Sequence, residues 1–182
     1  MEKIISRTKK YSGTVMSINS LEIDFGNGKK GTFERMEFKI EGIGVMIVAL
    51  DKKNNIYLIR QFQAGPEKRL LVLPRGGVKN GVKPEIMAKI ELEEEIGITA
   101  SKILQIGLLE IFPGYVKAQT ILFLATELTP KKSDGDEMED IEVVKMPLEE
   151  AVELCITGKI SDARTIAGIL MVNEYLIRHP RG

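Results

Sequence analysis

Four carboxylates crowd the segment Ile90–Ile98, IELEEEIGI: Glu91, Glu93, Glu94 and Glu95, just ahead of Gly97. On a helix turning about 100° per residue, Glu94 and Glu95 fall about 60° to one side and about 40° to the other of Glu91. Those three share a face, with Met87 and Ala88 beneath them, while Glu93 points the other way and reads as plain surface. The clustering is locally unfavourable. Each like-charge pair three or four residues apart costs about 0.2–0.5 kcal/mol, and the last turn already carries the negative end of the helix dipole. No lysine lies within that turn to relieve it. A solvated acidic face is the ordinary explanation of such a run. The chemical explanation is a hard divalent cation, Mg²⁺ or Mn²⁺, whose taste for carboxylate oxygens turns repulsion into coordination.

The elements around the cluster follow from pattern and punctuation. Pro84 suits the first turn of a helix over 84–96, and Gly97 suits the left-handed residue past its end. Ahead of it, strands are predicted at 45–51, 55–62 and 70–73, then a turn-rich loop, PRGGVKNG (74–81). After it, strands are predicted at 103–112, 120–128 and 141–144, with an acidic loop over 133–140 before the last. A helix opened by Pro147 closes at Gly158, and Ser161 or Asp162 caps a final helix running to about residue 177. From Gly13 to Ile40, β-branched and aromatic residues alternate with polar ones around GNGKKG (26–31), which reads as a hairpin turn. That piece is not a phosphate loop, because no Lys precedes Thr32 and no helical pattern follows. Strands surrounding a few helices in mixed order predict an α/β sandwich, divided into an N-terminal strand unit (1–42) and a main domain (43–182) near Gly42 and Gly44.

With those elements placed, the segment GGVKNGVKPEIMAKIELEEEIGI resembles the signature of the Nudix hydrolases, enzymes that split nucleoside diphosphates linked to another moiety. Gly76, Glu91, Leu92, Glu94, Glu95, Gly97 and Ile98 fall in the register of that signature. Two positions depart: Val82 stands where the family has Glu, and Ile90 where it has Arg. Their loss implies helix carboxylates that are less firmly oriented and hold metal more weakly. It also raises a second reading, a degenerate domain that binds a nucleotide and regulates without hydrolysis. Further stretches are similar to the ADP-ribose and ADP-sugar pyrophosphatase branch, and to the ADP compounds hydrolases in particular: FERMEF (33–38), LIRQFQAG (58–65), FPGY (112–115), DEMEDIEV (136–143) and GKISDARTIAGILM (158–171).

The resemblance implies a Nudix-type α/β/α sandwich with a mixed sheet, plus a small N-terminal antiparallel sheet. It implies Mg²⁺ or Mn²⁺ held by Glu91, Glu94, Glu95, Glu139 and the Arg75 carbonyl, with Glu137 as general base. Arg35, Gln63, Arg75 and Gly76 are the implied substrate-binding residues. Gln63 stands where some ADP-ribose pyrophosphatases carry an Arg that contacts the diphosphate. The implied substrates are ADP-ribose, ADP-sugars, NADH or dinucleoside polyphosphates, cleaved to AMP and a second phosphate. The branch forms homodimers whose N-terminal strands help build the partner's adenosine site.

Composition excludes other classes. Lys plus Arg and Asp plus Glu are both 26, which leaves no overall basic footprint for nucleic acid. The longest apolar run, VMIVAL (45–50), is too short to span a membrane. Cys155 is the only cysteine, so no intrachain disulfide is possible and a cytoplasmic setting fits. Cys155 and the single His179 read as incidental to the chemistry.

Overall fold

The computed structural model describes residues 1–39, 43–131 and 141–180. Val45 to Leu50 is apolar at every position because the strand it forms is covered on both faces. This strand, β4 (Ile43–Leu50), lies within a seven-stranded mixed sheet. The other strands are β5 (Asn55–Gln63), β6 (Lys68–Val72), β7 (Arg75–Gly77), β8 (Ile98–Glu110), β10 (Gln119–Pro130) and β11 (Glu142–Pro147). The main path runs β11-β5-β4-β10-β8, with β6 on β5 and β7 on β4; β4 and β10 are parallel and the other pairs antiparallel.

Alternate residues of β4 feed two cores. Val45, Ile47 and Ala49 pack with Met87, Ala88 and Leu92 of helix α1 (Pro84–Ile96). Met46, Val48 and Leu50 pack with Ala151 and Cys155 of α2 (Leu148–Ile156) and Ile169 and Val172 of α3 (Ala163–Arg178). The result is the expected sandwich, with one helix on one face and two on the other. Gly168 lets α3 come close to the sheet, since a Cβ there would sit 2.7 Å from Leu73 and 2.9 Å from Met46 side-chain carbons. The cap expected at residue 161 or 162 is Asp162, whose side chain accepts from the Thr165 N–H.

Strands β1 (Lys3–Ser12), β2 (Met16–Asp24) and β3 (Lys30–Phe38) form the N-terminal antiparallel sheet, and β9 (Val116–Lys117) adds parallel to β3. β1 begins well before the expected Gly13. Its ten residues are all exposed, so they carry no alternation for a pattern to catch. The loop expected over 74–81 also needs correcting, because Arg75–Gly77 is a strand. β5 pairs with β4 only at Ala49 and Leu50, which leaves Gly44–Met46 open for β7. Adjacent glycines carry no side-chain signal for that main-chain pairing. The expected boundary near Gly42 falls just outside the described residues.

Candidate active site

Helix α1 turns two of its carboxylates inward. Glu91 and Glu95, one turn apart, are 7% and 5% exposed, whereas Glu94 is half-buried. Glu93 is not plain surface: its side chain is 16% exposed and pairs with Lys131 at 2.9 Å. The charge relief missing from the helix itself thus arrives from just past the end of β10. The Lys131 N–H also binds the carbonyl of Gly97, the left-handed residue that ends α1.

Opposite the two buried carboxylates lies the β7 segment. The Arg75 N–H donates to Glu95 Oε2 at 2.9 Å. A Cβ on Gly76 would fall 1.9 Å from Glu91 Oε1, so only glycine lets that carboxylate lie against the main chain. Two carboxylates thus lie against one short strand, β7, and their hard oxygens are a donor set that suits Mg²⁺ or Mn²⁺. Among the described residues no group of three or more His, Cys, Asp or Glu is placed to hold a metal ion. Glu137 and Glu139 lie outside the described residues. Val82 and Ile90, at the two departures from the signature, are half-buried and pack against the core beneath α1. Apolar contact therefore stands where the family pattern has charge.

The Arg75 side chain is only 10% exposed, and its guanidinium turns toward the α3 side, where it donates to Asp162 Oδ2 and Gln63 Oε1, each at 2.9 Å. Burial works to raise the Asp162 carboxyl, but the Arg75 charge and the Thr165 hydroxyl and N–H outweigh it and hold its pKa below the usual carboxylate range.

Arg164, two residues further on, escaped the sequence reading. Its side chain makes no hydrogen bond to a described residue, and its ion pair with Asp162 spans 3.9 Å. Burial, then the neighbouring Arg75 charge, pushes its pKa down. A signal for it was present. A cation in the first turn of a helix opposes the macrodipole, so Arg164 in SDARTIAG needs a reason beyond α3 itself. Arg164 and Arg75–Gly77 wall a cavity of about 340 Å³ whose apolar lining includes Val15, Phe38 and Ile43.

A second cleft of about 810 Å³ adjoins the first, sharing Phe38, Ile43, Ala118 and Gln119 with it. Arg35 lines this cleft and donates through Nε to Glu37 at 2.9 Å. Burial opposes ionisation of Glu37, but Arg35, Arg7 and Lys117 together keep its pKa lowered. The sequence-predicted residues thus fall in two places. Glu91, Glu95, Arg75 and Gly76 converge, with Gln63 behind Arg75, whereas Arg35 lies along the cleft toward the N-terminal sheet.

Residues 41–168 match the NUDIX domain family. The chain belongs to the Nudix family. It is 32% identical to the ADP-ribose pyrophosphatase of Bacillus subtilis over 179 residues, spanning 96% of this chain and 95% of that protein. It is 28% identical to the ADP compounds hydrolase NudE of Escherichia coli, spanning 89% of this chain and 86% of that one. A crystal structure of an ADP compounds hydrolase superposes with a TM-score of 0.89 at 26% identity, covering 100% of this chain and 97% of the other. The likeness therefore extends beyond the Nudix domain, through the N-terminal sheet.

Proposed function

We propose that this Nudix protein hydrolyses the diphosphate bridge of ADP-linked compounds, such as ADP-ribose and ADP-sugars, to AMP and a second phosphate. The observation that carries this reading is the meeting of Glu91 and Glu95 with the Arg75–Gly76 backbone. Its support from outside is the match along nearly the whole chain to an ADP-ribose pyrophosphatase. Glu91 and Glu95 would hold a divalent ion, Mg²⁺ or Mn²⁺, joined by Glu94, Glu139 and the Arg75 carbonyl. Such an ion, when bound, supplies neutralising charge to the phosphate oxygens and makes water easier to deprotonate.

The rest of the chemistry belongs to the chain. Glu137 takes the proton as water oxygen bonds to phosphorus and the bridging P–O bond breaks, releasing AMP. Arg164, on the cavity wall beside Gly76 and Gly77, offers a guanidinium to phosphate oxygens. Arg35 and Gln63 remain substrate contacts in this reading, Arg35 from the adjoining cleft and Gln63 through its hold on Arg75. The N-terminal strands, residues 1–42, serve a homodimer and the adenosine side of the partner's site. Exposed Ile4, Ile5 and Tyr11 on β1 support that role. The reading takes the enzyme to be cytoplasmic; among the described residues no helix is long and apolar enough to cross a membrane.

Incubating the protein with a panel of ADP-ribose, ADP-sugars, NADH and dinucleoside polyphosphates, with Mg²⁺ or Mn²⁺, tests the reading by AMP release. The apolar packing of Val82 and Ile90 favours one rival, a domain that binds nucleotide without cleaving it. Saturable binding of these compounds with no AMP from any of them would select that rival.

A further inference from the structure

Arg75 works in two directions at once. Its main chain faces α1, where the N–H holds Glu95 at 2.9 Å. Its guanidinium faces the opposite side of the sheet, where Asp162 and Gln63 hold it. Asp162 Oδ2 also accepts from the Thr165 N–H at 2.9 Å and the Thr165 hydroxyl at 2.7 Å. The fully buried Thr165 hydroxyl in turn accepts from the Leu73 N–H at 3.2 Å, two residues before Arg75. Between them, the Pro74 carbonyl accepts from the Ile47 N–H. The first turn of α3 therefore pins Leu73 and Arg75, and strand β4 pins Pro74, just before the chain reaches Gly76.

We propose that Asp162 is a positioning residue for the α1 carboxylates, acting through Arg75. The departures at Val82 and Ile90 leave α1 without the charged neighbours that its signature provides. Here the Glu95 carboxylate is held by a backbone N–H, and that N–H is held in place by an ion pair across the sheet. A backbone donor stays put only if its own residue is fixed. Asp162 fixes it: the two side chains are 10% and 15% exposed and set a planar guanidinium against a carboxylate, so Arg75 has a single place to be. Outer-shell partners of this kind typically alter metal affinity about 10–100-fold when lost. The Glu95 side of the proposal rests on the pyrophosphatase reading only for the identity of the ion.

The test uses the full chain with Asp162→Asn, which keeps an acceptor for the helix cap and removes the charge that holds Arg75. Asp162→Ser, which keeps the cap but lacks the reach to Arg75, serves if the first variant does not fold. Two readouts are taken without substrate: hydrogen exchange of the Arg75 amide by NMR, and Mn²⁺ affinity by calorimetry. The expected result is faster exchange at Arg75, unchanged exchange at Leu92, and Mn²⁺ binding weakened about 10-fold or more. A lowered Tm with Arg75 exchange and Mn²⁺ affinity both as in the wild type would reduce Asp162 to a helix cap and overturn the proposal. Loosened Arg75 with unchanged Mn²⁺ affinity would overturn it too, because the effect would stop short of Glu95. Equal Mn²⁺ binding by wild type and Glu95→Gln would instead remove the ion from α1 and sink the pyrophosphatase reading. Arg75 exchange would then still decide whether Asp162 positions that backbone.

Discussion

The two faces of the central sheet carry charge in opposite styles. On the α1 face, Glu91 and Glu95 are close in sequence, alike in sign and gathered around a glycine. On the α3 face, Arg75 and Asp162 are opposite in sign, paired at 2.9 Å and 87 residues apart. The first concentrates like charge beside a main-chain segment, with Glu95 accepting the Arg75 N–H, and suits a cation; the second pairs unlike charges across the sheet. One face therefore has the character of a ligand site and the other that of a support, with Arg75 belonging to both.

If that division of labour is correct, loss of the carboxylates that serve the ligand and its reaction should cost more than loss of the supporting pair. The largest loss is expected from Glu137→Gln, since general bases contribute about 10²–10⁴-fold in rate. Turnover should fall within that range, while substrate binding measured by calorimetry with Ca²⁺ stays nearly unchanged. AMP release at the wild-type rate would move the base elsewhere, with Glu94 the first candidate.

Gly76→Ala comes next. Its new Cβ would meet the Glu91 carboxylate at 1.9 Å, so the side chain must swing away. The variant should stay folded, with overpacking costing about 1–3 kcal/mol, yet lose Mn²⁺ affinity measured by calorimetry. A folded Gly76→Ala with unaltered Mn²⁺ affinity would show that the Glu91 position is unimportant.

Arg164→Met probes the α3 face where it meets the cavity. A hydrogen bond to a charged group contributes about 1.5–3 kcal/mol, so KM for ADP-ribose should rise roughly 10-fold or more. The effect on kcat should be smaller. A fall in kcat with KM unchanged would place Arg164 in support rather than substrate binding.

The smallest effect concerns acid stability. The folded Asp162 carboxyl titrates below its ordinary value of 3.8. Its contribution is fully present above that unfolded value and is lost as pH falls through the lower folded one. Below about pH 4, the stability of the wild type should therefore decline more steeply than that of Asp162→Asn. Parallel acid limbs in urea titrations would mean that the ion pair adds nothing.

The same contrast governs how much could be read in advance. Helix α1 was legible at both ends because Pro84 and Gly97 are local signals, and its carboxylates were legible because their spacing is local too. The two-sided burial of β4 showed as an unbroken apolar run. Nothing local announced that Arg75 would reach Asp162, since that pair exists only once α3 packs onto β4 over Gly168. β7 was hidden for a related reason: the strand is two glycines and an arginine, and its partner positions are set by where β5 leaves β4. Glu93 was misjudged because helical geometry alone cannot include Lys131, which lies 38 residues away. Side chains that repel their neighbours are visible in a sequence. Those satisfied by a distant partner are not.

The most direct test of the central claim is AMP release from ADP-ribose with Mg²⁺ at saturating substrate, comparing wild type with Glu95→Gln. The carboxamide is nearly the same size, so the fold should survive while one donor is lost from the pair that meets the Arg75–Gly76 backbone. Since even outer-shell losses reach about 100-fold, removal of a direct donor should lower turnover by at least about that factor. Wild-type turnover by folded Glu95→Gln would contradict the account.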